Sequence, residues 1–255
     1  MKIKFDIRRE IKVAAILLGL AALVAFSDRR LKDNTCQDIV VELDNDLENH
    51  FIDERDVLRM VEAYPKPLRA QSFSSINLKE IELKLKTHKN FKKVELYNDL
   101  KGNMVVHVAL RRPMARLVQE LGPDAYLSEE GLIMPTSERY SSRVIIVSGS
   151  YVRQALLEQD LEKSTYGKQL LTLLRFVQDD PFWSSQIAEV EVLSNGKILL
   201  YPQVTRQVVE FGKPEKIEER FLKLKVFYKT ILPKQGWNKY KRVNLEYESQ
   251  VVAEQ

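Results

Sequence analysis

INLKEIELKLKTHKNFKKVELYNDLKGNMVVHVAL, residues 76–110, decides the fold class. Asn77 followed by Glu80 makes a capping-box-like helix start, and Ile81, Leu85 and His88 then share one helical face. The period then changes from helical to alternating. Val94, Leu96 and Asn98 alternate into a turn at 99–103, and Met104, Val106, Val108 and Leu110 alternate out of it. Upstream, Ile39, Val41 and Leu43 alternate as a strand. Asp53 can cap a short helix that buries Val57, Val61 and Tyr64, and Pro65 and Pro67 stop it. Residues 37–111 therefore predict strand, helix, helix, strand, strand, closed by Arg111-Arg112-Pro113.

Downstream, residues 112–255 read as a larger, β-rich domain. Strands are expected at 114–121, near Tyr126-Leu127, at 132–135, and at 144–147 as an apolar run buried on both faces. A helix over 164–178 buries Leu170, Leu174 and Val177. Asn195-Gly196, between apolar runs at 187–193 and 197–201, is the strongest short hairpin signal in the chain. Another strand follows at 205–211. A helix over 215–232 then carries Ile217, Phe221, Leu224, Tyr228 and Ile231 on one stripe and ends at Pro233. Val243, Leu245, Tyr247, Ser249 and Val251 alternate along a last strand.

At the other end, residues 13–26 are an unbroken run of apolar and small residues. As a helix the run rises roughly 21 Å, short of the roughly 30 Å hydrocarbon core unless Lys12, Arg29 and Arg30 snorkel to the head groups. A buried core helix lacks a reason for the basic clusters on both sides. A cleaved signal peptide lacks a good cleavage site, since Ala25-Phe26-Ser27 is poor. The reading favoured is an uncleaved anchor over 13–30, with residues 1–12 as a cytoplasmic tail. Lys2, Lys4, Arg8, Arg9 and Lys12 on the tail, against Arg29, Arg30 and Lys32 beyond the run, favour export of the C-terminal part.

Composition narrows the function. Lys and Arg number 40 against 36 Asp and Glu, mixed along the chain for a net charge of +4, so no basic stripe points to nucleic acid. One cysteine, Cys36, permits no internal disulfide. His50, His88 and His107 have no helical pairing for a metal. His88 reads as a helix-end residue and His107 as an outward strand residue. The pairs Asp44/Asp46, Glu129/Glu130 and Asp179/Asp180 read as solvated turn acids. No nucleophile elbow, phosphate loop or dinucleotide fingerprint occurs. No cofactor, metal, nucleic acid or small-molecule substrate is expected, and the chain is read as a binding module, not an enzyme.

The order of parts resembles the FtsQ/DivIB family of bacterial division proteins, and its first exported unit resembles a POTRA module. Phe51-Ile52-Asp53 with Asp56-Val57, and Ile76-Asn77 with Ile81-Glu82 and Leu85, resemble the starts of the two POTRA helices. Arg112-Pro113-Met114-Ala115 resembles the junction between domains, and Tyr126-Leu127-Ser128 with Gly131 and Pro135 the opening of the β-domain. Phe211-Gly212-Lys213 through the helix at 221–224 resembles a further family segment. Phe182-Trp183, Phe227-Tyr228, Gly236-Trp237-Asn238 and Val243-Asn244-Leu245 are similar to the Bacteroidetes variant. Ser128 stands where Asp is usual, and Glu246 where an Arg is common.

The resemblance implies an α+β protein with one transmembrane helix, a POTRA-like domain at 37–111 and a mixed β-sheet domain with flanking helices at 112–255. It implies a single-pass inner-membrane protein with its C-terminal domains in the periplasm at the septum. It also implies a scaffold that recruits FtsB-like and FtsL-like coiled-coil proteins and helps control the septal peptidoglycan synthase. The family binds FtsB by strand addition at the last strand, here 243–252. Tyr247 is then the anchor, with Leu245, Ser249 and Val251 on its face or in the core, Glu246 beside it, Lys225 at the rim, and Trp237 and Tyr240 structural or interfacial. The rival readings are a POTRA-bearing assembly or secretion factor and an anchored envelope hydrolase.

Overall fold

A computed structural model describes residues 15–23, 35–44 and 50–255. Residues 15–23 are helical and exposed. Among the described residues no helix is long and apolar enough to cross a membrane; the rest of the expected anchor and tail lies outside them, as does Asp46. The chain divides into two compact units.

The first unit is built from β1 (Ile39–Asp44), α1 (Glu54–Glu62), α2 (Leu78–Lys86), β2 (Phe91–Asn98) and β3 (Met104–Leu110). Its three-stranded sheet has the order β1-β3-β2, with β1 parallel to β3 from Ile39↔Met104 to Asp44↔Ala109. Local chemistry starts each element. The Asp53 carboxylate accepts from Asp56 N–H at 2.8 Å, and Asp53 N–H donates back to the Asp56 carboxylate at 3.0 Å, a complete capping box. Asn77 Oδ1 accepts from Glu80 N–H at 3.2 Å to start α2. In the β2–β3 turn, Asp99 Oδ1 accepts from Asn103 N–H at 2.7 Å and Lys101 N–H at 2.8 Å. Those bonds, the Asn103 N–H first, hold the Asp99 carboxyl below its ordinary range. Val57, Val61, Ile81, Leu85, Phe91, Val94, Val106 and Val108 are buried, as the two periodicities require. Cys36 is fully buried, and burial raises its thiol pKa.

The second unit holds a nine-stranded mixed sheet in the order β12-β11-β10-β9-β8-β7-β4-β5-β6. Its elements are β4 (Pro113–Leu117), β5 (Ala125–Ser128), β6 (Ile133–Pro135), β7 (Ile145–Gly149), α3 (Tyr151–Glu158), α4 (Thr165–Asp179), α5 (Pro181–Gln186), β8 (Ile187–Val192), β9 (Ile198–Pro202), β10 (Val208–Gly212), α6 (Ile217–Val226), a π-helical turn (Phe227–Ile231), α7 (Leu232–Gln235), β11 (Arg242–Asn244) and β12 (Val252–Glu254). β4 and β8 flank β7 in parallel, and β10 pairs parallel with β11. Asn195-Gly196 forms the β8–β9 hairpin, with Gly196 at φ 76°. Leu170, Leu171, Leu174, Trp183, Leu200, Phe211 and Phe221 form the core. The chain is α+β.

Several elements differ from the sequence reading. The strand expected at 114–121 ends at Leu117. β7 is not buried on both faces, since Ile146 is 36% exposed beside fully buried Val147. α3 and α5 were not predicted. α5 did carry a signal: Asp180, read as a solvated turn acid, is the N-cap, accepting from Phe182 N–H at 2.8 Å, and Pro181 opens the helix. Burial raises the Asp180 pKa, but those backbone N–H groups and Lys225 outweigh it and hold the carboxyl below its ordinary value.

Pro233 does not end the long helix. It sits in the first turn of α7, just after the π turn. A wide turn is one way a helix absorbs a residue without an N–H. The five-residue turn also shifts the helical phase, so Phe227 and Leu232 are buried while Ile231 is turned out. Tyr228 stays in the core, and burial pushes its hydroxyl up to about 12.

Two predictions follow from packing. A Cβ at Gly149, where φ is 90°, would lie 2.3 Å from the Val192 carbonyl oxygen across the β7–β8 pair. Gly149→Ala should lower stability by about 1–3 kcal/mol in chemical denaturation. His88 is half-buried, and its Nδ1 accepts from Asn90 N–H at 3.4 Å. Burial depresses its pKa from the ordinary 6.5. The unfolded chain thus protonates first, so stability is full above that ordinary value and falls as pH drops through it. His88→Gln should flatten the pH dependence in that window, read from denaturation midpoints.

Candidate partner-binding edge

The C-terminal end of the sheet departs most from the sequence reading. The expected single strand over 243–252 is two short strands. β11 pairs parallel with β10, and β12 folds back antiparallel onto β11 through Arg242↔Glu254, Val243↔Ala253 and Asn244↔Val252. Local bonds break the alternation. Leu245 N–H donates to Glu210 O at 3.0 Å, and Asn244 Oδ1 accepts from Glu246 N–H at 2.8 Å. Ser249 lies in the left-handed region at φ 56°, so the chain turns where the pattern predicted extension. Among the described residues β12 pairs with β11 alone, so it is the strand at this edge of the sheet.

The loop between these strands is held firmly. Lys223 on α6, its side chain only 14% exposed, donates to the Leu245 and Tyr247 carbonyls, each at 2.8 Å. The Glu246 carboxylate accepts from Lys197 Nζ at 2.8 Å. That bond is the main reason the Lys197 pKa is raised. A Cβ at Gly212, where φ is 83°, would lie 2.7 Å from the Glu246 side chain, so glycine lets that side chain lie against β10. Glu246 therefore meets its cation within the chain, whatever an Arg does at the corresponding place in relatives.

The predicted partner-binding residues separate accordingly. Tyr247 is 51% exposed. Leu245 is fully buried among the core residues, which corrects the expectation that it shares the Tyr247 face. Ser249 is exposed in the turn, and Val251 is partly buried. Trp237 is 42% exposed, its ring 6.1 Å from Tyr228 and its carbonyl accepting from Gln207 Nε2 at 3.1 Å. Tyr240 packs 5.6 Å from Phe227. Lys225 is engaged elsewhere, 3.4 Å from the Asp180 carboxylate and 5.4 Å over the Phe182 ring.

An apolar groove of about 420 Å³ runs between the α6–π segment and β12, lined by Val226, Phe227, Ile231, Tyr240, Val251 and Ala253, with Lys223 at its base. The sequence reading missed this groove and the Lys223 anchor. The phase shift that turns Ile231 out had no signature beyond Pro233, and the Lys223 bonds span 22 and 24 residues. Among the described residues no three His, Cys, Asp or Glu side chains are grouped to hold a metal.

Residues 112–254 match the family model described as FtsQ/DivIB, C-terminal related, and residues 34–109 match that of the POTRA-like domain. The chain belongs to the FtsQ/DivIB family. No curated protein matches it. FtsQ/DivIB and POTRA-like domains are of non-catalytic scaffold type, and the family is division-related.

In this FtsQ/DivIB chain, Lys223→Met keeps the aliphatic stem and removes both bonds to the loop carbonyls. The expected loss is about 1–3 kcal/mol, with faster amide hydrogen exchange across 245–251. Unchanged exchange would show that Lys197 and Glu246 suffice to hold the loop.

Proposed function

We propose that this protein is a membrane-anchored scaffold of the bacterial division machinery, recruiting FtsB-like and FtsL-like partners by strand addition at β12. The observation that carries this reading is an edge strand lying beside an apolar groove, with exposed Tyr247 at the loop leading into it. An edge strand offers backbone N–H and C=O groups to an incoming strand, and the groove takes alternate apolar side chains. Tyr247 supplies a rigid aromatic contact, of the kind that dominates interface energy. Its backbone carbonyl is already bonded to Lys223, so little ordering remains to be done on binding.

The reading includes the anchor at 13–30, a cytoplasmic tail, periplasmic C-terminal domains and a place at the septum in the inner membrane. It also includes a contribution to control of the septal synthase. These rest on the apolar run, the basic flank and family membership. The strand that receives the partner is Val252–Glu254 in place of the longer 243–252 segment.

The test is binding of the purified full chain to the juxtamembrane segment of the co-resident FtsB-like protein. Tyr247→Ala should weaken binding about tenfold, or about 1.4 kcal/mol, with circular dichroism unchanged. Val226→Asp, which places a charge in the groove at an exposed position, should weaken it as well. Full affinity in both variants moves the interface away from β12. No binding by the unsubstituted chain removes the proposed partner.

A further inference from the structure

A second cleft, of about 520 Å³, opens at the start of β7 and β8. Four strands, β8 to β11, separate β7 from the β12 edge in the sheet order. Its apolar wall includes Ile146, Leu174, Val177 and Ile187. The cleft accounts for the uncovered face of β7, where an exposed isoleucine stands next to a fully buried valine.

The polar groups are few and share one character. Arg143 lines the cleft, is exposed, and makes no hydrogen bond or ion pair with any described residue. No Asp or Glu lines the cleft. Gln203 donates its backbone N–H to Gln186 O at 2.7 Å, while its side-chain amide has no partner among the described residues. Gln178 donates to the Glu129 carboxylate at 3.4 Å and turns the rest of its amide to the cleft lining. An apolar cleft bordered by an unpaired guanidinium is complementary to an aliphatic group next to a carboxylate. A fatty acid carries both groups but leaves the two glutamine amides unanswered. A peptide backbone answers them, with one donor and one acceptor at each residue.

We propose that this cleft is a second docking site, taking a protein segment that presents an aliphatic side chain followed by Asp or Glu. The aliphatic group seats against Leu174, Val177 and Ile187, the carboxylate pairs with Arg143, and Gln178 and Gln203 bond the backbone. The site is independent of the β12 edge, so a scaffold of this form holds two segments at once, and linked segments gain effective concentration.

The test uses the full chain with labelled Ile and Leu methyl groups, titrated with acetyl-Ala-Leu-Glu-Ala-amide, its Leu-Gln counterpart and octanoate. The expected result is saturable shifts of the Ile146, Ile187 and Leu174 methyls with the Leu-Glu peptide. Arg143→Gln should weaken that peptide about threefold, as for an exposed ion pair, and leave the Leu-Gln peptide unchanged. Ile146→Glu should abolish both peptide shifts, while Tyr247→Ala leaves them intact. Three results overturn the proposal: no saturable shift, saturation by octanoate alone, or equal Leu-Glu affinity with and without Arg143. Loss of FtsB-like binding in Tyr247→Ala with these shifts retained separates this site from the β12 edge.

Discussion

One aromatic ring joins most of the second unit. Phe221 on α6 lies 4.9 Å from Phe176 on α4, 4.8 Å from Trp183 on α5 and 5.2 Å from Phe211 on β10. Large aromatic side chains bury the most area per residue and prefer the offset and tilted geometries found here. With Phe221 and Trp183 each 1% exposed, the contacts leave α6 little freedom to rotate about its axis. The position of α6 in turn sets Lys223 against the loop carbonyls and places Val226 and Ile231 over β12. The groove is therefore a consequence of core packing several side chains away.

The edge of the sheet shows how little backbone is left open. β12 and β6, the two terminal strands, have three residues each, and β6 ends in Pro135, which has no N–H to offer. Short edges limit indiscriminate pairing between chains. At β12 the charged groups are also largely occupied: Glu246 by Lys197, Glu210 by Arg242 and Asn244, and Lys223 by two carbonyls. What remains outward is chiefly apolar or aromatic, and this makes shape and side-chain fit the natural basis of selectivity at that edge.

Much was legible in the sequence because it depended on neighbours along the chain. Asp53 with Asp56, Asn77 with Glu80, Asp99 with Asn103 and the Asn195-Gly196 turn all act within a few residues. Each appears in the structure where its local chemistry places it. The strand-helix-helix-strand-strand order of the first unit and the buried positions of its helices follow from periodicity alone. Asp180 was equally local, but an acid before Pro181 reads as a turn as easily as a cap until Phe182 and Trp183 are seen donating to it.

The sequence by itself determined the α+β class, the first unit's element order and the family, because local caps and apolar periods are written in adjacent residues. Tertiary structure alone decided the edge. Val243, Leu245, Tyr247, Ser249 and Val251 alternate as a strand would, yet the chain turns after Asn244. The bonds from Leu245 to Glu210 and from Lys223 to the loop join groups 22 to 35 positions apart. Extension and turning differ little in local energy along such a segment. Bonds and packing supplied by β10 and α6 choose between them, burying Leu245 and leaving Tyr247 exposed.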